Sequence, residues 1–226
     1  MGKFPAGPLA AVVALHVAIY AFQTWRQKKK DEEEVAVKLP EWTKGFFDEL
    51  KDKEFSSDEE MMRVAVDLSK HNVEKNTGGP FGCAIFEKDK KSGKAKIFSI
   101  GANQVTALNN STLHAEMMAI QFAQKKMKTF SLKDKTGEKE YCLFTSCEPC
   151  AMCLGGTFWS GVTRLVCAAT KADAEAIGFD EGPVFPESYT ALEKAGCAVS
   201  RSILREDAAK VLKRYGEIGV IYNGHD

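Results

Sequence analysis

Four residues in two short stretches could do chemistry together. The stretch TSCEPCAMC, residues 145–153, carries Cys147, Cys150 and Cys153. The stretch NNSTLHAEMMAIQ, residues 109–121, carries His114 and Glu116. Pro149 suits the first turn of a helix, where its missing N–H would have no partner in any case. A helix opening there sets Cys150 and Cys153 on one face at i, i+3. Its N-terminal dipole favours thiolate. Two convergent thiolates make a soft half-site for zinc. A redox pair is the rival use of C-x-x-C, since this pair also follows a strand and opens a helix. Cys147, on the strand side of the turn, reads as a packed small residue.

The second stretch decides between these uses. Ser111 or Thr112 can cap a helix beginning around Leu113, with His114 and Glu116 in its first turn. Spaced i, i+2, the two point in different directions and do not ligate one ion as a face pair. His114 can bind a metal while Glu116 reaches the water that the metal holds. H-x-E followed downstream by P-C-x-x-C is a signature of zinc nucleobase deaminases.

These residues need a scaffold, and the patterns around them alternate between strand and helix. SSDEEMMRVAVDLSKHNVEKN has a Ser/Asp cap signal and helical spacing. GGPFGCAIFEKD and KAKIFSIGAN read as strands, with DKKSG as the hairpin turn between them. LHAEMMAIQFAQKKM is helical, KEYCLFTS a strand, PCAMCLGGTFWS a helix and VTRLVCAAT a strand. KADAEAIG reads as a short helix, ESYTALEKAGCAVS as helix then strand, and REDAAKVLKRYGE as a last helix. The alternation predicts an α/β fold, one mixed sheet covered by helices on both faces.

The chain has 226 residues, 44% hydrophobic and 27% charged, enough for one good-sized domain with a real core. Formal net charge is +0, with no basic excess to favour nucleic acid. Seven scattered cysteines, several inside apolar runs, argue for free thiols in a reducing compartment rather than a disulfide framework.

Three segments are expected. Residues 1–25 are hydrophobic, with the apolar run FPAGPLAAVVALHVAIYAF at 4–22. That run would rise roughly 28 Å as a helix, close to a bilayer core. The Lys/Arg cluster behind it would hold that side in the cytosol. The expectation is therefore a membrane anchor with the catalytic domain facing the cytosol. A cleaved signal or organellar leader, or a buried core helix in a soluble protein, are the rivals. Residues 26–38 read as a charged linker or frayed helix. Residues 39–226 form the domain.

From Asp58 to Phe185 the chain resembles the cytidine deaminase-like superfamily, most closely its guanine deaminase and tRNA adenosine deaminase branch. GGPFGCAIF, GANQV, STLHAEMMAIQ, TSCEPCAMCLGGTFWSGV and AEAIGFDEGPVF carry the resemblance. It implies a three-layer α/β/α sandwich with about five strands, commonly a homodimer. It implies Zn2+ held by His114, Cys150 and Cys153, with Glu116 as the proton shuttle. Asn103 would hold the base, Phe81 and Trp159 would wall the pocket, and the Ala115 N–H would position the reacting centre. Asp180 and Glu181 match the acidic pair of the guanine deaminase stretch GFDD, whose second member assists catalysis. Glu181 departs from that second Asp and leaves the purine open. The implied reaction is hydrolytic loss of ammonia from a nucleobase or nucleoside, a purine such as guanine first. Adenosine in tRNA, cytosine or cytidine are the alternatives, and a structural zinc or binding module is the reading from outside enzymology. The N-terminal segment and the residues after Glu187 lie outside the resemblance.

Overall fold

A computed structural model describes residues 8–33, 35 and 37–225; residues 1–7, 34, 36 and 226 lie outside the described residues. It separates into two units, residues 1–37 and 38–226.

The first unit is one helix, α1 (Pro8–Glu33). It runs through the apolar segment and straight on into the charged one. The part from Pro8 to Phe22 rises roughly 22 Å, short of the roughly 30 Å hydrocarbon layer. Among the described residues no helix is long and apolar enough to cross a membrane. The transmembrane segment and the membrane-anchored localisation expected from sequence are corrected accordingly. The first seven residues of the expected anchor lie outside the described residues.

The second unit opens with α2 (Trp42–Leu50) and α3 (Asp58–Glu74). Ser57 caps α3: its hydroxyl accepts from the Glu60 N–H, and Glu60 reaches back to the Ser57 N–H. That is the reciprocal box the Ser/Asp signal anticipates. Helix α2 goes beyond the expected elements. With nine residues and a glycine inside, it is too short for periodicity to reveal.

Strands β1 (Gly82–Asp89) and β2 (Ala95–Ala102) follow as an antiparallel hairpin. Asp89 closes its turn by accepting from the Ser92 N–H and hydroxyl. Then come α4 (Ala115–Met127), β3 (Lys139–Cys147), α5 (Ala151–Ser160), β4 (Arg164–Ala169), α6 (Lys171–Glu175), α7 (Pro186–Lys194), β5 (Ala198–Ser200) and α8 (Arg205–Ile218). The strands lie in the order β2-β1-β3-β4-β5. β1 is antiparallel to β3, whereas β3, β4 and β5 run parallel. The sheet is therefore mixed, as the alternating pattern predicts.

Both faces of the sheet are apolar, because both are covered. On one face Ala84, Phe86, Phe144 and Val166 pack against Met62, Val66 and Leu68 of α3 and Leu212 of α8. On the other, Cys83, Ile85, Leu143 and Leu165 pack against Ala119 and Ala123 of α4, Leu154 of α5 and Leu192 of α7. This alternation of partners along β1 is the period-2 signature of a strand between two layers.

Gly101 sets the spacing between β2 and α4. A Cβ there would lie 1.9 Å from the Ala115 carbonyl and 2.7 Å from the Ala119 nitrogen. Only a glycine lets the strand lie this close to the first turn of α4. The start of β1, the end of β2 and the end of β3 all reach the same edge of the sheet, where α4 and α5 begin. Crevices at such strand ends are where open α/β sheets place their sites.

Candidate active site

His114 is the residue just before α4, with extended backbone (φ −68°, ψ 156°). The helix thus starts two residues later than the sequence suggests. Ser111 and Thr112 do not cap it; Thr112 instead bonds to Asn110 Oδ1 in a local turn. Cys150 is likewise the residue before α5 (φ −64°, ψ 172°), so Pro149 precedes the helix rather than opening it. The i, i+3 spacing survives this shift, because residue Cys153 still lies over the start of the same turn.

The sheet brings these two helix starts together. The ligand atoms of His114, Cys150 and Cys153 all lie within 4.8 Å of one another. His114 Nδ1 is 3.5 Å from Cys150 Sγ. Tetrahedral zinc with its usual Zn–S and Zn–N lengths needs about 3.6 Å between such donors. Two sulfurs and one imidazole are a fitting donor set, three ligands with a fourth position left to water or substrate.

Glu116 stands beside this triad, 6% exposed. Its Oε1 accepts from Thr145 Oγ1 at 3.0 Å, which orients the carboxylate from β3. Burial pushes its pKa up, and neighbouring Cys150 adds to the shift. Cys150 goes the other way, down to about 4, because Cys153 and then His114 hydrogen-bond its sulfur. The same bond, with Cys153 as donor, pushes the Cys153 thiol well up. Burial opposes charge on His114, but the Cys150 sulfur outweighs it and raises the imidazole. A thiolate with two nearby carboxyls in a buried place is a site that asks for a cation.

A cavity of about 240 Å³ opens above the triad. Its floor is His114, Glu116 and Cys150. Phe81 meets Phe179 edge-on with centroids 5.0 Å apart, and Phe179 meets Tyr222 at 5.2 Å. These three rings form an aromatic wall. Asn103, 1% exposed, follows β2. Its Oδ1 accepts from the Val105 N–H at 3.2 Å and from Tyr222 Oη at 2.8 Å. Both oxygen lone pairs are then engaged, which leaves the amide NH2 as the group Asn103 can offer a ligand.

Glu181 is buried, 7% exposed, and lines the cavity. Burial pushes its pKa up to about 8, with Cys150 and Glu116 reinforcing the shift. Asp180 also borders the cavity, but its Oδ1 is occupied by the Gly182 N–H at 2.8 Å. Ala115 opens α4, where amides lack an intrahelical acceptor.

Of the residues expected from sequence, His114, Cys150, Cys153, Glu116, Asn103, Phe81 and Glu181 converge here. Trp159 does not. It sits late in α5, 78% exposed and edge-on to Phe158, away from the cavity lining. Thr145, Phe179 and Tyr222 are among the lining or orienting residues that were not anticipated. Phe179 precedes the acidic pair directly, so its place was open to inference. Tyr222 had no local signal, being 119 positions from the Asn103 it bonds to and far from Phe179 in sequence as well.

Comparison with known proteins agrees with this geometry. Residues 55–169 match the cytidine and deoxycytidylate deaminase zinc-binding region. The guanine deaminase of Bacillus subtilis is 38% identical over 129 residues, 57% of this chain and 75% of its own. A tRNA-specific adenosine deaminase of Buchnera aphidicola is 28% identical over 154 residues, 68% of this chain and 90% of its own. Among solved structures, the guanine deaminase of Nitrosomonas europaea superposes with a TM-score of 0.71 at 34% identity, covering 82% of this chain and 97% of that one. With a zinc-binding profile over half its length and a solved structure matching 82% of it at 34% identity, this chain belongs to the cytidine and deoxycytidylate deaminase zinc-binding family.

Proposed function

We propose that this protein is a zinc-dependent hydrolase that removes the exocyclic amine of a nucleobase as ammonia, with guanine as its substrate. The convergence of His114, Cys150 and Cys153, with the Glu116 carboxylate beside them, carries the proposal. The likeness to guanine deaminases of two bacteria supports the choice of guanine.

Zinc, when bound, supplies a Lewis acid that brings water to a pKa near 7. The chain's own residues do the rest. Glu116 takes the proton from the attacking water and returns it to the leaving amine. Its raised pKa suits it to both roles, since it can hold the proton between the two transfers. Thr145 keeps the carboxylate turned toward the reacting centre. The aromatic wall of Phe81, Phe179 and Tyr222 offers faces to a planar base. Asn103 donates its NH2 to an acceptor on the base. Glu181, buried beside Glu116, is the second acid, placed to exchange a proton with the ring or the departing amine.

The size of the cavity favours a free base over a polymer. Tyr222 and Asn223 line the cavity and bond to Asn103 and Asp180. The test is ammonia release by the zinc-loaded protein from guanine, guanosine, adenine, adenosine, cytosine, cytidine and tRNA. Guanine should be turned over fastest. Turnover of adenosine in tRNA with none of guanine would replace this reading by the other branch of the family.

A further inference from the structure

The Glu-Pro of TSCEPCAMC has no part in the chemistry above, yet Glu148 is buried to 8% exposure. Its carboxylate is used. Oε2 accepts from the Lys171 backbone N–H at 2.8 Å, and Oε1 accepts from Arg201 at 3.3 Å. Lys171 is the first residue of α6. Its ammonium reaches the other way and donates to the Gly182 carbonyl at 2.7 Å. A looser pair to Glu175 at 3.4 Å holds the same group. One residue therefore touches both the turn that carries Cys150 and the loop that carries Glu181.

The loop needs such a hold. Gly182 adopts φ +67° and has no side chain to restrict it, so hydrogen bonds must do the restricting. Its N–H is bonded to Asp180 Oδ1, within the loop itself. The Glu181 carbonyl is held by the Ala151 N–H at 3.1 Å, at the start of α5. What remains is the peptide on the far side of Gly182: its carbonyl accepts from the Val184 N–H at 2.9 Å within the loop and from Lys171 Nζ at 2.7 Å, and the Lys171 bond ties it to α6.

We propose that Lys171 is a positioning residue: a strut between Glu148 and Gly182 that sets the place of Glu181 in the cavity. This rests on the reading of Glu181 as a second acid in a deaminase. The strut predicts that losing the ammonium releases the loop and misplaces Glu181, while the metal ligands stay where they are. A displacement of about 1 Å in such a group lowers turnover by about 10- to 100-fold.

The experiment compares wild type, Lys171→Met and Lys171→Arg as zinc-loaded full-length proteins. Lys171→Met keeps the length of the stem and loses the donors; Lys171→Arg keeps a donor. Kinetics on guanine are measured together with zinc content and hydrogen exchange by mass spectrometry. In the Met variant kcat should fall by about 10-fold or more, with KM within about twofold and zinc content unchanged. Amide exchange should rise in residues 178–184 and not in the sheet. The Arg variant should recover most of the lost kcat. The proposal is overturned by a Met variant with wild-type kcat and wild-type exchange in that loop. It is also overturned by a loss that Arg does not rescue, or by exchange that rises across the whole domain. If wild type itself releases no ammonia from guanine, the proposed function fails, and the exchange of residues 178–184 still decides for or against the strut.

Discussion

Tyr222 Oη donates a 2.8 Å hydrogen bond to Asn103 Oδ1 across 119 positions of sequence. The last residues of the chain thereby set which way a buried amide turns in the cavity. Gly79 makes room for this contact: a Cβ there would lie 2.2 Å from the Tyr222 oxygen.

Removing that hydroxyl in Tyr222→Phe leaves the ring in the aromatic wall and frees the amide. One neutral hydrogen bond is worth about 1 kcal/mol, so KM for the base should rise about fivefold with kcat little changed. Steady-state kinetics on guanine check this, and an unchanged KM would remove Tyr222 from substrate binding.

Glu116→Gln should retain the metal and lose turnover by about 100-fold or more, since an amide cannot shuttle the proton. Zinc analysis alongside ammonia release separates the two effects. Activity at the wild-type level would rule out Glu116 as the shuttle.

Chelation should abolish ammonia release, and added zinc should restore it. At zinc about 100-fold above its dissociation constant the folded state gains about 2.7 kcal/mol, so the melting temperature should fall on chelation. Cys153→Ser and His114→Ala should show neither the restored activity nor the shift. A thiol-dependent activity indifferent to chelator would revive the redox reading of Cys150 and Cys153.

Acid should weaken the contact between α6 and α8. Asp173 accepts from the Thr170 N–H at 2.8 Å and from Arg205 Nε and Nη2 at 2.8 and 2.9 Å. The Arg205 bond, against the cost of burial, holds its pKa well below the usual carboxylate value of 3.8. A depressed folded pKa gives stability that is full above about pH 4 and lost as pH falls below it. Arg205 is half-exposed, so solvent screening keeps the loss below about 1 kcal/mol. Urea unfolding of wild type and Asp173→Asn at pH 7 and pH 3 measures it. The gap between the two proteins should be largest at pH 7 and only partly narrowed at pH 3, since the folded carboxylate is still largely ionised there; a constant gap would mean that the charge plays no part.

Trp159→Ala should leave kcat/KM within about twofold of wild type, the range for an exposed position. A large loss of base binding would mean that the ring enters the cavity after all.

The strand–helix alternation from Asp58 to Ser200 was legible in the sequence because each element shows its own period. β1 reads as an apolar run and α3 as a capped, periodic helix, and both form where expected. The metal triad was legible for a related reason: C-x-x-C and H-x-E each demand a helix start, and the two starts occur in the right order. What failed lay at boundaries. Pro149 and Ser111 signal a helix nearby without saying at which residue it begins, and both helices start later than expected. The apolar N-terminal run read as a membrane span because hydropathy does not show that one helix continues into the charges behind it.

Residue types and short spacings determined the donor set of this protein, since a ligand pair on one turn is a local property. Tertiary structure alone decided what surrounds it. Whether Trp159 or Phe179 faces the base depends on which side of a packed element each occupies, and that is set by contacts with distant strands. Tyr222 on Asn103 and Lys171 on Gly182 are bonds between loops, and no periodicity encodes them. They exist because the sheet brings the ends of β1, β2 and β3 to one edge, leaving the loop side chains there to pair with whatever the fold has placed within reach.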